Sequence, residues 1–126
     1  MAKEVADFVA RGGWGEVRYA ARANGSMEAK DWLDGAGKRV QSKFDHLFRK
    51  ISGAGKIANT EQFRSLSSGI WEFKRDGHRI LCFQHGDCWW LTHHYAKSGP
   101  KCPRREIDRA IEIRGEHLTR AAKGKR

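Results

Sequence analysis

GIWEFKRDGHRILCFQHGDCWWLTHHY, residues 69–95, reads as short apolar runs parted by two turns. Asp76-Gly77 is a two-residue hairpin signal, because Asp-Gly supplies the backbone torsions that a tight β-turn demands. His85-Gly86-Asp87 marks a second turn. The stretch therefore predicts a three-stranded antiparallel meander over roughly 69–75, 78–84 and 88–95, with the second strand central. A two-residue turn at Asp76-Gly77 pairs Arg75 with His78, Lys74 with Arg79, Phe73 with Ile80 and Trp71 with Cys82. Alternation then sorts the faces. Trp71, Phe73, Ile80 and Cys82 form a core face, and Glu72, Lys74 and Arg79 the other. Whether the second turn uses His85-Gly86 or Gly86-Asp87, the parity is the same. Trp90, Thr92 and His94 join the Arg79 face; Trp89, Leu91, His93 and Tyr95 join the core face. On this register Cys82 and Cys88 look to opposite faces, which argues against a disulfide between them.

The consequence is a cluster. Antiparallel pairing sets the late end of the third strand beside the start of the second. His94 or Thr92 then lies next to Arg79, which lies next to Lys74, with Glu72 among them, and Lys97 and Lys101 leave from the same end. Unmatched like charges repel on a sheet, so such a group is best explained by an anionic ligand such as a phosphodiester. Trp90, on the same face, is placed to stack on a base, and His93 replaces His94 if the register is off by one.

Outward from the meander, Glu16 to Arg22 alternates as a strand, with Val17, Tyr19 and Ala21 on one face. Asn24-Gly25 turns the chain and Ser26 is a candidate N-cap. Residues 27–34 carry Trp32 and Leu33 on a short helix. Val40, Phe44, Leu47, Phe48 and Ile51 form the strongest helical stripe, which Gly53 and Gly55 end. Val5, Phe8 and Val9 have helical spacing near the N-terminus. Beyond Tyr95, a basic loop (Lys97 to Pro103) leads into a helix from about Pro103 to Arg120, whose apolar stripe is Ile107, Ala110, Ile111 and Leu118. The last residues, AAKGKR, read as a short loose tail.

The chain has 126 residues, one domain's worth. Five Trp and six Phe supply a core despite a charged fraction of 32%. Lys plus Arg total 25 against 15 Asp plus Glu, so the formal charge is +10. That surplus points to a polyanionic partner, nucleic acid above all. No run is long enough to span a membrane and no signal peptide is evident, so a cytoplasmic protein without membrane contact is expected. Cys82, Cys88 and Cys102 form no zinc-binding pattern; neither a metal nor another cofactor is expected.

Taken in order, Gly69-Ile70-Trp71-Glu72-Phe73-Lys74, His78-Arg79-Ile80-Leu81-Cys82-Phe83, His94-Tyr95-Ala96-Lys97 and Lys101-Cys102-Pro103-Arg104-Arg105-Glu106-Ile107 resemble the HigB-like, phage-associated branch of the RelE/ParE toxin superfamily. Its pattern runs LWELR … YRIFY … HGFxKKTxKTPxxEI. The resemblance covers about residues 15–119 and implies an α+β fold: an N-terminal strand and helical pair, an antiparallel β-meander and a C-terminal helix. It implies one toxin domain over 15–120, an N-terminal extension at 1–14 and a basic tail at 121–126. It also implies a metal-independent mRNA endoribonuclease acting on the ribosome, held inactive by a cognate antitoxin, often a helix-turn-helix DNA-binding protein.

Carried over by position, Arg79 matches the arginine of the central strand, and Glu72 and Lys74 the acidic and basic positions of the first. Tyr95 matches the aromatic of GF, and His94 stands at its glycine. Lys97 and Lys101 match lysines of KKT and KTP. Ser98 replaces the second lysine of the pair, and Cys102 the threonine that would cap the last helix. The expected chemistry is attack of a ribose 2′-OH on the adjacent phosphate, giving a 2′,3′-cyclic phosphate and a 5′-OH. Arg79 would clamp the phosphate, His94 would serve as acid or base, and Lys74, Lys97 and Lys101 would stabilise charge. Glu72, Tyr95, Trp90, Arg104 and Arg105 would contact substrate. Two alternatives stand beside this reading: a ParE-like gyrase poison, and a non-catalytic nucleic-acid-binding phage regulatory protein.

Overall fold

A computed structural model describes residues 6–124. Within them lie strands β1 (Phe8–Arg11) and β2 (Glu16–Tyr19), helices α1 (Glu28–Asp34) and α2 (Lys38–Ala54), strands β3 (Phe63–Ser65), β4 (Ile70–Arg75), β5 (His78–His85) and β6 (Cys88–Ala96), and helix α3 (Arg104–Gly124). The fold is α+β, with one six-stranded mixed sheet in the order β1-β2-β6-β5-β4-β3. The meander β4–β5–β6 is antiparallel as expected, while β2 joins it in parallel along β6, from Glu16 opposite Cys88 to Tyr19 opposite Leu91. A parallel neighbour needs a long crossover; here α1, α2 and the first meander strands fill it.

Helices cover both faces, so the sheet has two cores rather than one. On one side α1 and α2 bring Leu33, Phe44, Leu47, Phe48 and Ile51 onto Val17, Phe63, Phe73, Ile80, Cys82, Trp89 and Leu91. On the other, α3 lays Ile107, Ala110 and Ile113 onto Ala20, Ile70, Leu81, Phe83 and Tyr95, with Ile111 and Leu118 partly buried at the margin. The predicted helical stripe of α2 is the deepest part of the first core, apart from Val40, which is half-buried.

Several local expectations are corrected. Phe8 and Val9, which with Val5 have helical spacing over residues 4–10, lie instead on the edge strand β1; Val5 is outside the described residues. The β1–β2 turn packs on the end of α2, where the Trp14 and Gly15 amides both donate to the Ser52 carbonyl at 3.0 Å. Gly12 permits that approach, since a Cβ there would come within 2.7 Å of the Gly53 nitrogen. Gly53 is helical, and Gly55 alone, at φ 85°, caps α2. Ser26 is not a cap; Met27 holds that position without a side-chain bond. Strand β2 stops at Tyr19, and Arg22 turns to Glu28, Glu112 and Glu116 instead, tying the α1 end to α3. Helix α3 runs on through Gly124, so residues 121–124 are helical rather than a loose tail.

Candidate functional site

The β4–β5 pairing follows the expected register residue by residue, Lys74 opposite Arg79 and Phe73 opposite Ile80. The β5–β6 pairing does not. Leu81 faces His93 but Cys82 faces Leu91, so Thr92 is an extra residue, a β-bulge. The Thr92 hydroxyl donates to the Leu81 carbonyl at 3.1 Å and fills the irregularity. One inserted residue reverses the faces beyond it. His93 and Tyr95, assigned to the core side with Ile80, stand on the Arg79 side, and His94 goes to the opposite one.

This overturns the placement of His94 beside Arg79. Its ring stacks on Trp32 of α1, centroids 3.6 Å apart and planes 5° apart, and its Nε2 lies 3.0 Å from Nδ1 of His78. Burial first, then the neighbouring His78 and His93, push its pKa down to about 4. His93 is fully buried, with Nε2 3.0 Å from Glu106 Oε1 and Nδ1 3.2 Å from the Thr92 hydroxyl. Burial lowers its pKa while Glu106 raises it. This chain of contacts ties the bulge to the first turn of α3.

What replaces His94 beside Arg79 is Tyr95, its partner across the ladder. The Tyr95 hydroxyl donates to Glu72 Oε1 at 3.0 Å, and Arg64 Nε donates to Glu72 Oε2 at 2.6 Å. Glu72 is 0% exposed, so it holds other side chains in place and does not meet substrate, contrary to its expected role. Tyr95 is itself largely covered, and burial, Cys102 and Glu72 raise its pKa above the ordinary phenol range. Burial also pushes the Cys102 thiol up, which keeps it protonated.

Above this network the cations gather. Arg79 is only 6% exposed, and its Nη1 donates to the carbonyls of Asp76 (3.0 Å) and His78 (2.9 Å), which fix it over the hairpin end. Lys74 reaches the Thr60 carbonyl at 3.2 Å. Its pKa is lowered first by burial and then by Arg64, Arg79 and Lys97, against the pull of Glu72. Lys97 is exposed, and its amide bonds to the Gly77 carbonyl at 2.8 Å, which keeps it at the same end of the sheet. Arg79, Lys74 and Lys97 make no ion pair among the described residues. Lys101 borders a groove of about 260 Å³ with Arg64, Ser65, Leu66, Ser67, Cys102 and Ile107.

The remaining candidates are dispersed. Trp90 shares the Arg79 face but sits opposite Phe83, ~13 Å along the strand at ~3.3 Å per residue. There it packs on His117, centroids 4.3 Å apart. Arg104 pairs with Asp108 at 2.9 Å, and Arg105 lies 3.6 Å from Glu106; both are exposed at the start of α3. Arg64, Glu106 and Thr60 were not anticipated. A strand of three residues around Arg64 carries no readable alternation, though the acid at Glu72 was a hint that a buried cation partner was needed. Cys82, Cys88 and Cys102 are free thiols. No group of three or more His, Cys, Asp or Glu among the described residues is placed to hold a metal. No described helix is long and apolar enough to cross a membrane.

No curated protein matches the chain significantly. The family model described as "Phage derived protein Gp49-like (DUF891)" matches residues 31–114, from α1 through the cation cluster into α3. With more than half of its length covered, and the whole meander inside the match, the chain belongs to the phage-derived Gp49-like family, a RelE/HigB-like toxin-related family.

Proposed function

We propose that this protein is the toxin of a toxin–antitoxin pair, of the HigB-like kind, and that it inhibits growth by cutting ribosome-bound mRNA in the cytoplasm without a metal. A cognate antitoxin, of the helix-turn-helix DNA-binding class, would hold it inactive. The observation that carries this reading is the group Lys74, Arg79 and Lys97 with Arg64 beside it, over a single buried carboxylate. Such an excess of positive charge is costly unless an anion completes it.

The ribose 2′-oxygen attacks the neighbouring phosphorus and the P–O5′ bond breaks. One proton passes from the 2′-OH to solvent water, one reaches the departing 5′-oxygen, and the products are a 2′,3′-cyclic phosphate and a 5′-OH. Arg79, held by two carbonyls, supplies fixed positive charge to the phosphorane and need not reorganise. Lys74 and Lys97 reach the solvent side and meet the non-bridging oxygens. With its pKa lowered by burial and by three cations, Lys74 is the group best suited to proton transfer to the leaving oxygen. His94 has no part in the step, because it faces α1. Tyr95 and Glu72 act by position, holding Arg64 and the end of β6 in place.

Arg79→Ala is expected to lower mRNA cleavage by ~10²–10³-fold and to abolish growth inhibition, while the protein stays folded. Primer extension on mRNA from induced bacteria measures it. Full toxicity of the folded variant rejects the assignment. The absence of a histidine from the cluster favours one competitor, a nucleic-acid-binding protein without cleavage. That reading wins if RNA binding depends on Arg79 and no fragment ends ever appear. Inhibited supercoiling with intact mRNA would identify a gyrase poison instead.

A further inference from the structure

We propose that the groove between the β3–β4 turn and the loop entering α3 is a second nucleotide subsite, which takes the single-stranded RNA unit next to the cleaved linkage. It rests on the RNA-cleaving reading above. The groove is continuous with the cation cluster through Arg64, which lines it, bonds to buried Glu72 and is among the charges that act on Lys74.

Its walls are fixed before any ligand arrives. Arg64 Nη2 donates to the Pro100 carbonyl at 3.3 Å and holds the loop side. Arg114 Nη1 donates to the Ser68 carbonyl at 2.6 Å, and Arg104 Nη1 reaches Ser67 Oγ at 3.4 Å; together they hold the turn side to α3. That turn is sharply bent, with Ser68 at φ 59° and Gly69 at φ 79°. A preformed wall lowers the ordering cost of binding.

The lining matches one nucleotide in size and chemistry. The groove's 260 Å³ is below the ~300–1,000 Å³ of sites for drug-sized ligands, so a duplex does not enter. Leu66 and Ile107 give it an apolar floor for a base. Lys101, which makes no ion pair among the described residues, and Arg64 give its rim positive charge for a phosphate. Lys101 is thereby a subsite residue rather than part of the reacting centre. Neither an aromatic ring nor an amide side chain is among the lining residues. The base is held by apolar contact, and the Ser65 and Ser67 hydroxyls can bond either kind of base edge, so the subsite measures chain length and tolerates any base.

The test uses the full chain and short RNA oligomers of two, three and four nucleotides, their riboses 2′-O-methylated so that none can be cut. Affinity is read by fluorescence anisotropy across a salt series. A step of about tenfold is expected when the oligomer grows long enough to enter the groove, changing less than about threefold with the outer base. Ser67→Trp, an exposed position whose ring fills the groove, removes that step. Lys101→Ala shrinks it and lowers the slope of log affinity against log salt by ~0.7, the value for one single-strand phosphate. A step and slope unaltered in both variants overturn the subsite. Binding that is lost in Arg79→Ala yet indifferent to Ser67→Trp and Lys101→Ala sinks the subsite alone. Binding indifferent to Arg79→Ala sinks the parent reading with it.

Discussion

The hairpins β4–β5 and β5–β6 have turns of the same length and comparable sequence quality, yet they behave differently. In the first, pairing runs without interruption from Arg75 opposite His78 to Ile70 opposite Phe83. In the second, it runs from the Gly86-Asp87 turn to Cys82 opposite Leu91, skips Thr92, and resumes with Leu81 opposite His93. Trp89 and Leu91, before the skip, look toward α2 as expected. His93 and Tyr95, after it, look toward α3. Alternation counted from a turn therefore holds only as far as the first inserted residue. The residues that matter most for the cluster lie beyond that point.

Deleting Thr92 is the most severe way to break the comparison. It removes the extra residue and restores even alternation, yet leaves Leu91 opposite Cys82 and His93 opposite Leu81, so His94 and Tyr95 keep their faces. The expected loss is about 3–4 kcal/mol, because the Thr92 bond to the Leu81 carbonyl goes and both packed faces of β6 must shift to close the gap. Urea unfolding measures it; a deletion variant as stable as the parent means that the fold takes no support from the bulge.

Glu72→Ala ranks next, at about 3 kcal/mol. It strands Arg64 and the Tyr95 hydroxyl, though partly exposed Arg64 can still find water. Tyr95→Phe removes one hydrogen bond and costs ~1 kcal/mol. Equal costs for the two would mean that Arg64 takes no support from Glu72.

The smallest expected effect concerns His94. Its folded pKa of about 4 is below the ordinary 6.5, so the fold favours the neutral ring. Its contribution is whole above pH 6.5 and is lost as the pH falls toward 4. His94→Phe should keep the stacking on Trp32 and lose less thermal stability than the parent between about pH 7 and 4.5. His93 and His117, whose pKa values burial also lowers, act equally in both proteins. Parallel losses would exclude His94 as a source of the acid sensitivity.

What could be read from the sequence followed the range of the signal. The α2 stripe and the β4–β5 register depend on neighbours within a turn or a hairpin, and Phe44, Leu47, Lys74 and Arg79 fall where that logic puts them. Strand β1 was misread because Val5, Phe8 and Val9 fit a helical spacing better than four residues can display alternation. The partnership of β2 with β6 joins segments remote in the chain, and no local pattern announces it. In the candidate site, Lys74, Arg79 and Lys97 were legible through the Asp76-Gly77 turn. Arg64 was not, because its role is set by a buried acid on another strand, and His94 was misplaced by the single residue at Thr92.

The parallel contact of β2 with β6 also governs the order in which the molecule can be completed. Residues 16–19 emerge early in synthesis but have no inner neighbour until residues 88–91 follow them. Such distant pairings close late, since a large loop must be gathered before any bond rewards it. A chain halted on the ribosome before Cys88 carries α1 and α2 and even the Lys74–Arg79 pair, yet has neither the last strand nor the loop lysines that complete the charged end. The nascent polypeptide thus lacks a finished site for most of its own production.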